Sequence, residues 1–333
     1  MLSPRLYKLA GVLVSLVFVY LAVRRVDLQE ALRALGGVSP TVLVAAALVF
    51  LCGYPIRALR WRRILRAQKA LTLRQTLVPV FVGYMANNLL PARAGELYRA
   101  HFLGRRARMS RSGAAASIVV ERAFDGLMLV VMILLVTALF PGEGFLSAAA
   151  FLTGLVFLLL AVGILVYVLL VDRTHAVVDR LLARLPRRFE KSLGERLKLF
   201  LHGMRGISTL SGALEVAGYT VVVWALEISA YTLAVLAFGV ELPASGYLLV
   251  YTLAALGTTL PAGPAYVGPY QYAFVLALGV FAVSRETALA VSVGAQVALL
   301  GSVTVIGLAL LWREQLRGGR LPGREESGGK TIA

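Results

Sequence analysis

The residues Asn87, Asn88, Pro91, Arg93, Gly95, Glu96 and Arg99 place two amides, two guanidiniums and a carboxylate around a proline and a glycine. Arg93 and Arg99 are suited to holding a phosphate through forked, charge-assisted hydrogen bonds. Pro91 removes a helical hydrogen bond and so frees a backbone carbonyl. Gly95 permits close backbone approach. Glu96 stands three positions before Arg99, the spacing of a helical ion pair, and would hold that arginine when no ligand is bound. The bland alternative is a turn at a membrane surface whose arginines snorkel to headgroups.

Three further constellations stand in apolar surroundings. Glu121, Arg122 and Asp125 lie in an apolar run that continues to Phe140. Glu121 and Asp125 share a helix face, and charges there are expensive unless they face the protein interior. They suit charge balance or proton transfer, and equally a satisfied ion-pair network with Arg93 or Arg99. The stretch 261–269 holds Pro261, Gly263, Pro264, Gly268 and Pro269, which is no ordinary helix. Unwound backbone in a membrane protein lines a cavity or rests against protein. Tyr266 and Gln271 beside it are candidate headgroup contacts, unless the stretch is a turn outside the membrane. Arg57, Arg60 and Trp61 read either as a phosphate contact or as an interfacial anchor. Glu227 is a lone acid in the run 211–238 and a candidate cavity residue.

Soluble-enzyme chemistry has no comparable signature. His101, His175 and His202 have no metal-ligand spacing, and Cys52 is the sole cysteine. Neither a His-Glu-x-x-His zinc motif nor a phosphate-cradling glycine loop occurs. No metal and no cofactor is expected.

The elements that must position these residues are set by composition. Of the 333 residues 59% are hydrophobic and only 15% charged, and mean hydropathy is +0.80. Soluble domains carry roughly 45–50% apolar and about 25% charged residues. The apolar residues fall in long runs, so the chain reads as an all-α, polytopic membrane protein. The runs are 6–23, 41–56, 76–90, 113–140, 145–171, 211–238, 246–260, 264–283 and 286–312. The first has no small-residue cleavage site after it and reads as an anchor helix. The segments 76–90 and 246–260 are short and end in Leu90-Pro91 and Leu260-Pro261, which predicts two re-entrant hairpins beside about six spanning helices.

The net charge of +17 indicates anionic lipid rather than nucleic acid, because the basic residues cluster between apolar runs. Clusters at 57–74, 99–111, 172–210 and the tail contrast with 141–144 and 239–245, which hold no Lys or Arg. The positive-inside rule puts both termini, 57–111 and 172–210 in the cytoplasm. The stretch 172–210 reads as a basic amphipathic segment on the anionic leaflet. Residues 1–315 form one transmembrane domain and 316–333 a polar tail.

Asn87-Asn88-Leu89-Leu90-Pro91-Ala92 resembles Gly257-Thr258-Thr259-Leu260-Pro261-Ala262. The same offset superimposes the helix starting near 41 on that near 211, and 113–140 close to 286–312. Two halves follow, about 41–171 and 211–312, each a helix, a broken hairpin and a helix. Counting crossings gives them opposite orientations, the inverted repeat of many transporters.

Taken in order, Arg57-x-x-Arg60-Trp61, Asn88-x-x-Pro91-x-Arg93-x-Gly95-Glu96-x-x-Arg99, Glu121-Arg122-x-x-Asp125 and the Pro-rich stretch 261–271 resemble the lysylphosphatidylglycerol synthase transmembrane-region family of flippase-like membrane proteins. The chain departs from the family pattern at Pro264-Ala265-Tyr266-Val267-Gly268 and Gln271, where relatives are similar to Pro-Gly-Gly-x-Gly with a following Glu. Bifunctional relatives carry a soluble aminoacyl-transferase domain after the membrane region. This chain ends soon after Trp312, so the resemblance implies the flippase-like part alone. Its implied function is translocation of a phosphate-bearing lipid across the cytoplasmic membrane: phospholipid, aminoacyl-phospholipid, glycolipid or isoprenoid-linked lipid. The alternatives are a non-transporting accessory protein, partnered with a lipid synthase or glycosyltransferase, and a membrane-embedded lipid-phosphate group transferase.

Overall fold

The computed structural model describes residues 4–90, 93–140, 159, 180, 209–260 and 262–316. Every regular element among them is helical. The chain begins with α1 (Pro4–Val23), α2 (Leu28–Gly36), α3 (Pro40–Leu65), α4 (Leu73–Leu89), α5 (Ala94–Arg106) and α6 (Arg111–Leu139). It continues with α7 (Leu210–Leu236), α8 (Ala244–Thr259), a 3-10 turn (Pro264–Tyr266) and α9 (Pro269–Gly279). A last rod joins α10 (Arg285–Ala295), a π turn (Gln296–Leu300) and α11 (Gly301–Leu316). The expected span 145–171 and basic segment 172–210 fall, but for single positions, outside the described residues. So do Pro91, Pro261 and nearly all of the tail 316–333.

Side-chain caps set many helix starts. Asp27 accepts from the backbone N–H groups of Gln29 and Glu30 to begin α2. Thr72 and Gln75 form a capping box for α4. Ser110, Thr209 and Ser284 each accept from the backbone N–H three residues on, starting α6, α7 and α10. Helix α4 stops at Leu90, whose extended backbone is what a following proline requires. Leu260 stops α8 in the same way.

Each proline break leaves two short helices packed together, α4 on α5 and α8 on α9. Long helices flank each pair: α3 and α6 flank the first, α7 and the α10–α11 rod the second. The long helices α3 and α7 pack extensively against each other. Crosswise contacts add to this: α11 packs on α4 and α8 on α6, so each helix pair is also held by a long helix that flanks the other.

Three helices among the described residues are long and apolar enough to cross a membrane: Pro40–Leu65, Leu210–Leu236 and the rod Arg285–Leu316. The sequence predicts about six. Of the other three, 6–23 lies within α1, 113–140 forms α6, and 145–171 falls almost wholly outside the described residues. The loop expected between the first two runs folds in part as α2, which buries Ala31 while Leu28 and Leu32 stay exposed. Helix α2 packs on α10, and the Asp27 N–H donates to Glu286.

The interior is aromatic. Tyr54 stacks on Phe81 at 4.7 Å between ring centroids, and Tyr231 meets Tyr251 edge-on at 5.2 Å. Tyr231 also stacks on Phe274. Large apolar side chains cover the outside as well, including Leu13 and Leu16 on α1, Leu48 on α3, Leu134 on α6 and Val305 on α11. An apolar exterior around a core that contains charged groups is the arrangement hydrocarbon solvent requires.

Candidate functional site

The charges expected to be costly in lipid collect in two adjoining places. The first is a cavity of about 380 Å³ lined from α3, α4, α5, α6, α7, α8, the 3-10 turn and the π turn. Its charged lining is Arg57, Arg93 and Arg122 with Glu96, Asp125 and Glu227. Tyr54, Tyr84, Tyr231, Tyr251, Tyr266 and Trp224 supply aromatic wall, and Asn87 and Asn88 add amides. The second place is a sealed layer behind it that holds Arg60, Trp61, Arg99 and Glu121, each at most 2% exposed.

The sealed layer is densely paired, with only the Nε atoms of Arg60 and Arg99 lacking a hydrogen-bond partner among its arginine nitrogens. Arg99 grips Glu121 with two bonds of 3.0 and 2.9 Å, and its guanidinium lies 3.7 Å from the Trp61 ring centroid. The Trp61 indole N–H donates to the Ser117 hydroxyl at 2.9 Å. Arg60 reaches Asp125 at 2.6 Å, Thr220 at 3.0 Å and Glu121 at 3.2 Å. A bidentate arginine with a stacked aromatic face is a rigid arrangement. Arg99 therefore does not face the cavity beside Arg93. The expectation that these two arginines form one phosphate clamp is corrected.

The expected Glu96–Arg99 pair is also replaced. Spacing puts both on one face of α5, but Glu96 faces Arg122 of α6 at 3.5 Å and Arg93 at 3.9 Å. Arg99 turns instead to Glu121. One helix spacing admits either partner; the arrival of α6 decides.

In the cavity the three arginines are committed to different degrees. Arg57 pairs with Glu227 and donates to the Tyr84 hydroxyl at 2.6 Å. Tyr251 donates to the other Glu227 oxygen at 2.7 Å. Arg122 donates to the same Tyr84 hydroxyl at 2.9 Å and to Glu121 at 3.0 Å, and lies 3.4 Å from Asp125. Tyr84 thus bridges two guanidiniums. Arg93 donates through Nε and Nη2 to the carbonyl of Thr258, at 3.1 and 2.7 Å, and stands 5.8 Å from the Tyr266 ring centroid. Its hydrogen bonds end on a neutral oxygen, so it gives up least to take an anion.

Local backbone sets these positions. Arg93 is the N-cap of α5 with φ of 54°, left-handed, which turns the chain sharply after the break. Gly95 lies against the Gly83 carbonyl and Asn87, where no Cβ fits. Gly268 has φ of +100° and faces the Ser15 carbonyl, so glycine is required for both conformation and space.

Of the residues singled out from sequence, Arg57, Asn87, Asn88, Arg93, Glu96, Arg122, Asp125 and Tyr266 line the cavity. Gln271 does not. It accepts from the Gly268 N–H and donates to Gln296, fixing the turn rather than facing the cavity. Glu227 does line it, as the lone acid in its apolar run suggests. Tyr84, Tyr231, Tyr251 and Trp224 carry no such signal, because an aromatic residue in an apolar run reads as core. Among the described residues no His, Cys, Asp and Glu cluster could hold a metal ion.

Comparison with known proteins fits this architecture. Residues 8–307 match the family described as the lysylphosphatidylglycerol synthase TM region. Glycosyltransferase AglD of Haloferax volcanii is 26% identical over 92% of this chain, and the chain spans 54% of that protein's length. A UPF0104 membrane protein of Methanothermobacter thermautotrophicus is 26% identical over 86% of this chain and 88% of its own. A second UPF0104 membrane protein, from Methanocaldococcus jannaschii, is 22% identical over 47% of this chain and 48% of its own. With a match over nearly its whole length and apolar helices around a charged interior, this chain is a membrane protein belonging to the lysylphosphatidylglycerol synthase transmembrane-region family.

Proposed function

We propose that the protein is a flippase-like transporter that binds a phosphate-bearing lipid and carries its headgroup across the cytoplasmic membrane. One observation carries the reading. Arg57, Arg93 and Arg122 converge on a cavity where two proline-broken hairpins meet, inside a shell whose outer face is apolar. Arg93 is the first phosphate contact. Glu96, Asp125 and Glu227 balance the arginines when the headgroup leaves. The two halves are inverted repeats, both hairpins re-enter the membrane, and both termini lie in the cytoplasm. Rocking of one half against the other exposes the cavity alternately. The sequence contains no phosphate-cradling loop for a nucleotide, so a gradient or lipid supply drives the movement.

A second reading draws on the relative named as a glycosyltransferase, matched by this chain over about half its length. Here the protein serves a lipid-linked glycosylation pathway as an accessory, partnered with the enzyme that modifies the lipid. A group-transferase reading asks for a carboxylate able to take a proton. Glu121 is sealed behind Arg99 and Asp125 is gripped by Arg60, which speaks against either as the base.

The test is mass spectrometry of lipids that co-purify with the wild type and with Arg93→Ala. One phosphate-bearing lipid, enriched in the wild type and lost in the variant, is expected, and it then enters a transport assay in vesicles. Identical lipids in both samples defeat the reading. A specific lipid that binds but does not cross in vesicles, together with a co-purifying synthase, favours the accessory role.

A further inference from the structure

The α10–α11 rod is interrupted at Gln296–Leu300 by a π turn. An extra residue in one turn rotates everything beyond it by about 100°, and such turns gather at functional positions. Both ends of this one are bonded to a broken hairpin. At its start, Gln296 Nε2 donates to the Ala265 carbonyl at 2.7 Å. Gln296 Oε1 accepts from Gln271 Nε2 at 2.7 Å, and Gln271 Oε1 accepts from the Gly268 N–H at 2.8 Å. At its end, the Leu300 carbonyl accepts from Asn88 Nδ2 at 3.1 Å, and Asn88 also reaches the Thr304 hydroxyl at 3.0 Å.

What Gln296 holds is strained. Ala265 and Tyr266 are consecutive non-glycine residues in the left-handed region, with φ of 54° and 62°. L-residues stay there only when their surroundings impose it. The carbonyl that Gln296 binds belongs to the first of the pair. The second, Tyr266, lines the cavity with its ring near the Arg93 guanidinium. The other face of this segment is held by α1, where the Gly263 N–H donates to the Ser15 hydroxyl at 2.7 Å.

We infer that Gln296 is a positioning residue. It holds the strained Ala265–Tyr266 backbone so that Tyr266 stands against Arg93, and the π turn ties that placement to Asn88 on the opposite hairpin. Gln296 does not line the cavity and acts on a bound phosphate only through Tyr266. The binding arm of the test rests on the proposed lipid-phosphate reading; the backbone arm stands without it.

The experiment compares wild type, Gln296→Leu, Tyr266→Ala and the double variant, purified in a maltoside detergent. Gln296→Asn, which keeps the amide on a shorter stem, replaces Gln296→Leu if that variant does not fold. Amide hydrogen exchange reads the segment 263–268, and titration with dodecyl phosphate reads the cavity. Gln296→Leu is expected to speed exchange at Tyr266–Gly268 by about tenfold or more, leaving α9 and α11 unchanged. It is also expected to weaken dodecyl phosphate binding roughly three- to tenfold, the worth of one hydrogen bond. In the Tyr266→Ala background the same change adds nothing. Unaltered exchange in Gln296→Leu overturns the inference whatever binding does, and so does an equal loss of affinity with and without Tyr266. If the wild type itself does not bind dodecyl phosphate, the proposed function fails, and exchange alone decides the role of Gln296.

Discussion

Arg93, at the tip of the first broken hairpin, donates two hydrogen bonds to the Thr258 carbonyl near the end of the second hairpin's leading helix. The contact joins the start of α5 to the end of α8 through one side chain and a neutral oxygen. A phosphate entering the cavity competes with that oxygen, and a charged acceptor makes the stronger bond. In the proposed role the same arginine exchanges its bonds to the Thr258 carbonyl for the phosphate.

Arg93→Ala should weaken dodecyl phosphate binding by about tenfold or more, since charged hydrogen bonds contribute about 1.5–3 kcal/mol. Arg93→Lys should fall between, because a point charge replaces a planar fork. Titration of the detergent-purified variants checks both. Equal affinity in Arg93→Ala and wild type removes Arg93 from the phosphate site.

Arg99→Ala should act on stability instead. It leaves Glu121 buried with one of its three arginine partners gone, and breaking a buried pair typically costs about 3–5 kcal/mol. Thermal unfolding in detergent should show a clear drop, while any folded fraction binds dodecyl phosphate with unchanged affinity. A stable variant that has lost binding would instead return Arg99 to the phosphate contacts.

Much of this was legible in residues whose presence in lipid needs an explanation. Pro91 and Pro261 mark where α4 and α8 end, since a residue before proline is driven out of helical backbone. The cost of isolated charge marks Arg93, Glu96, Arg122, Asp125 and Glu227 as cavity residues. Pairing was less legible. Glu96 and Arg99 share a helix face, but tertiary packing supplies Arg122 to one and Glu121 to the other, and spacing along one helix holds no record of that choice. The aromatic wall resembles core in sequence because it is core on its other side. The π turn leaves no compositional mark, so Gln296 could be recognised only from its bonds.

The glycines separate by what surrounds them. Gly95→Ala should destabilise the protein strongly, because its Cβ would meet the Gly83 carbonyl and Asn87, both fixed by packing. Gly53→Ala is the control: it lies within α3, and a Cβ there would meet nothing within 4 Å. It should raise stability by roughly 0.5–1 kcal/mol through reduced unfolded-state freedom. Melting temperatures measured side by side check the contrast, and a stable Gly95→Ala protein would refute the close packing of α4 on α5.

Glu227→Gln tests charge balance within the cavity. Glu227 holds Arg57 through an ion pair and accepts the Tyr251 hydroxyl, so it stabilises the empty protein and competes with any anion for Arg57. Removing its charge should have two effects of opposite sign. Stability should fall, since the nearly buried Arg57 loses its carboxylate partner, while dodecyl phosphate binding should tighten because Arg57 becomes available. The tightening should shrink least with added salt, as a partly buried pair is screened less than an exposed one. A purely structural role predicts a different result: lower stability together with weaker binding, because a loosened wall presents its arginines less well. Melting temperature and titration on the same sample therefore separate the two roles.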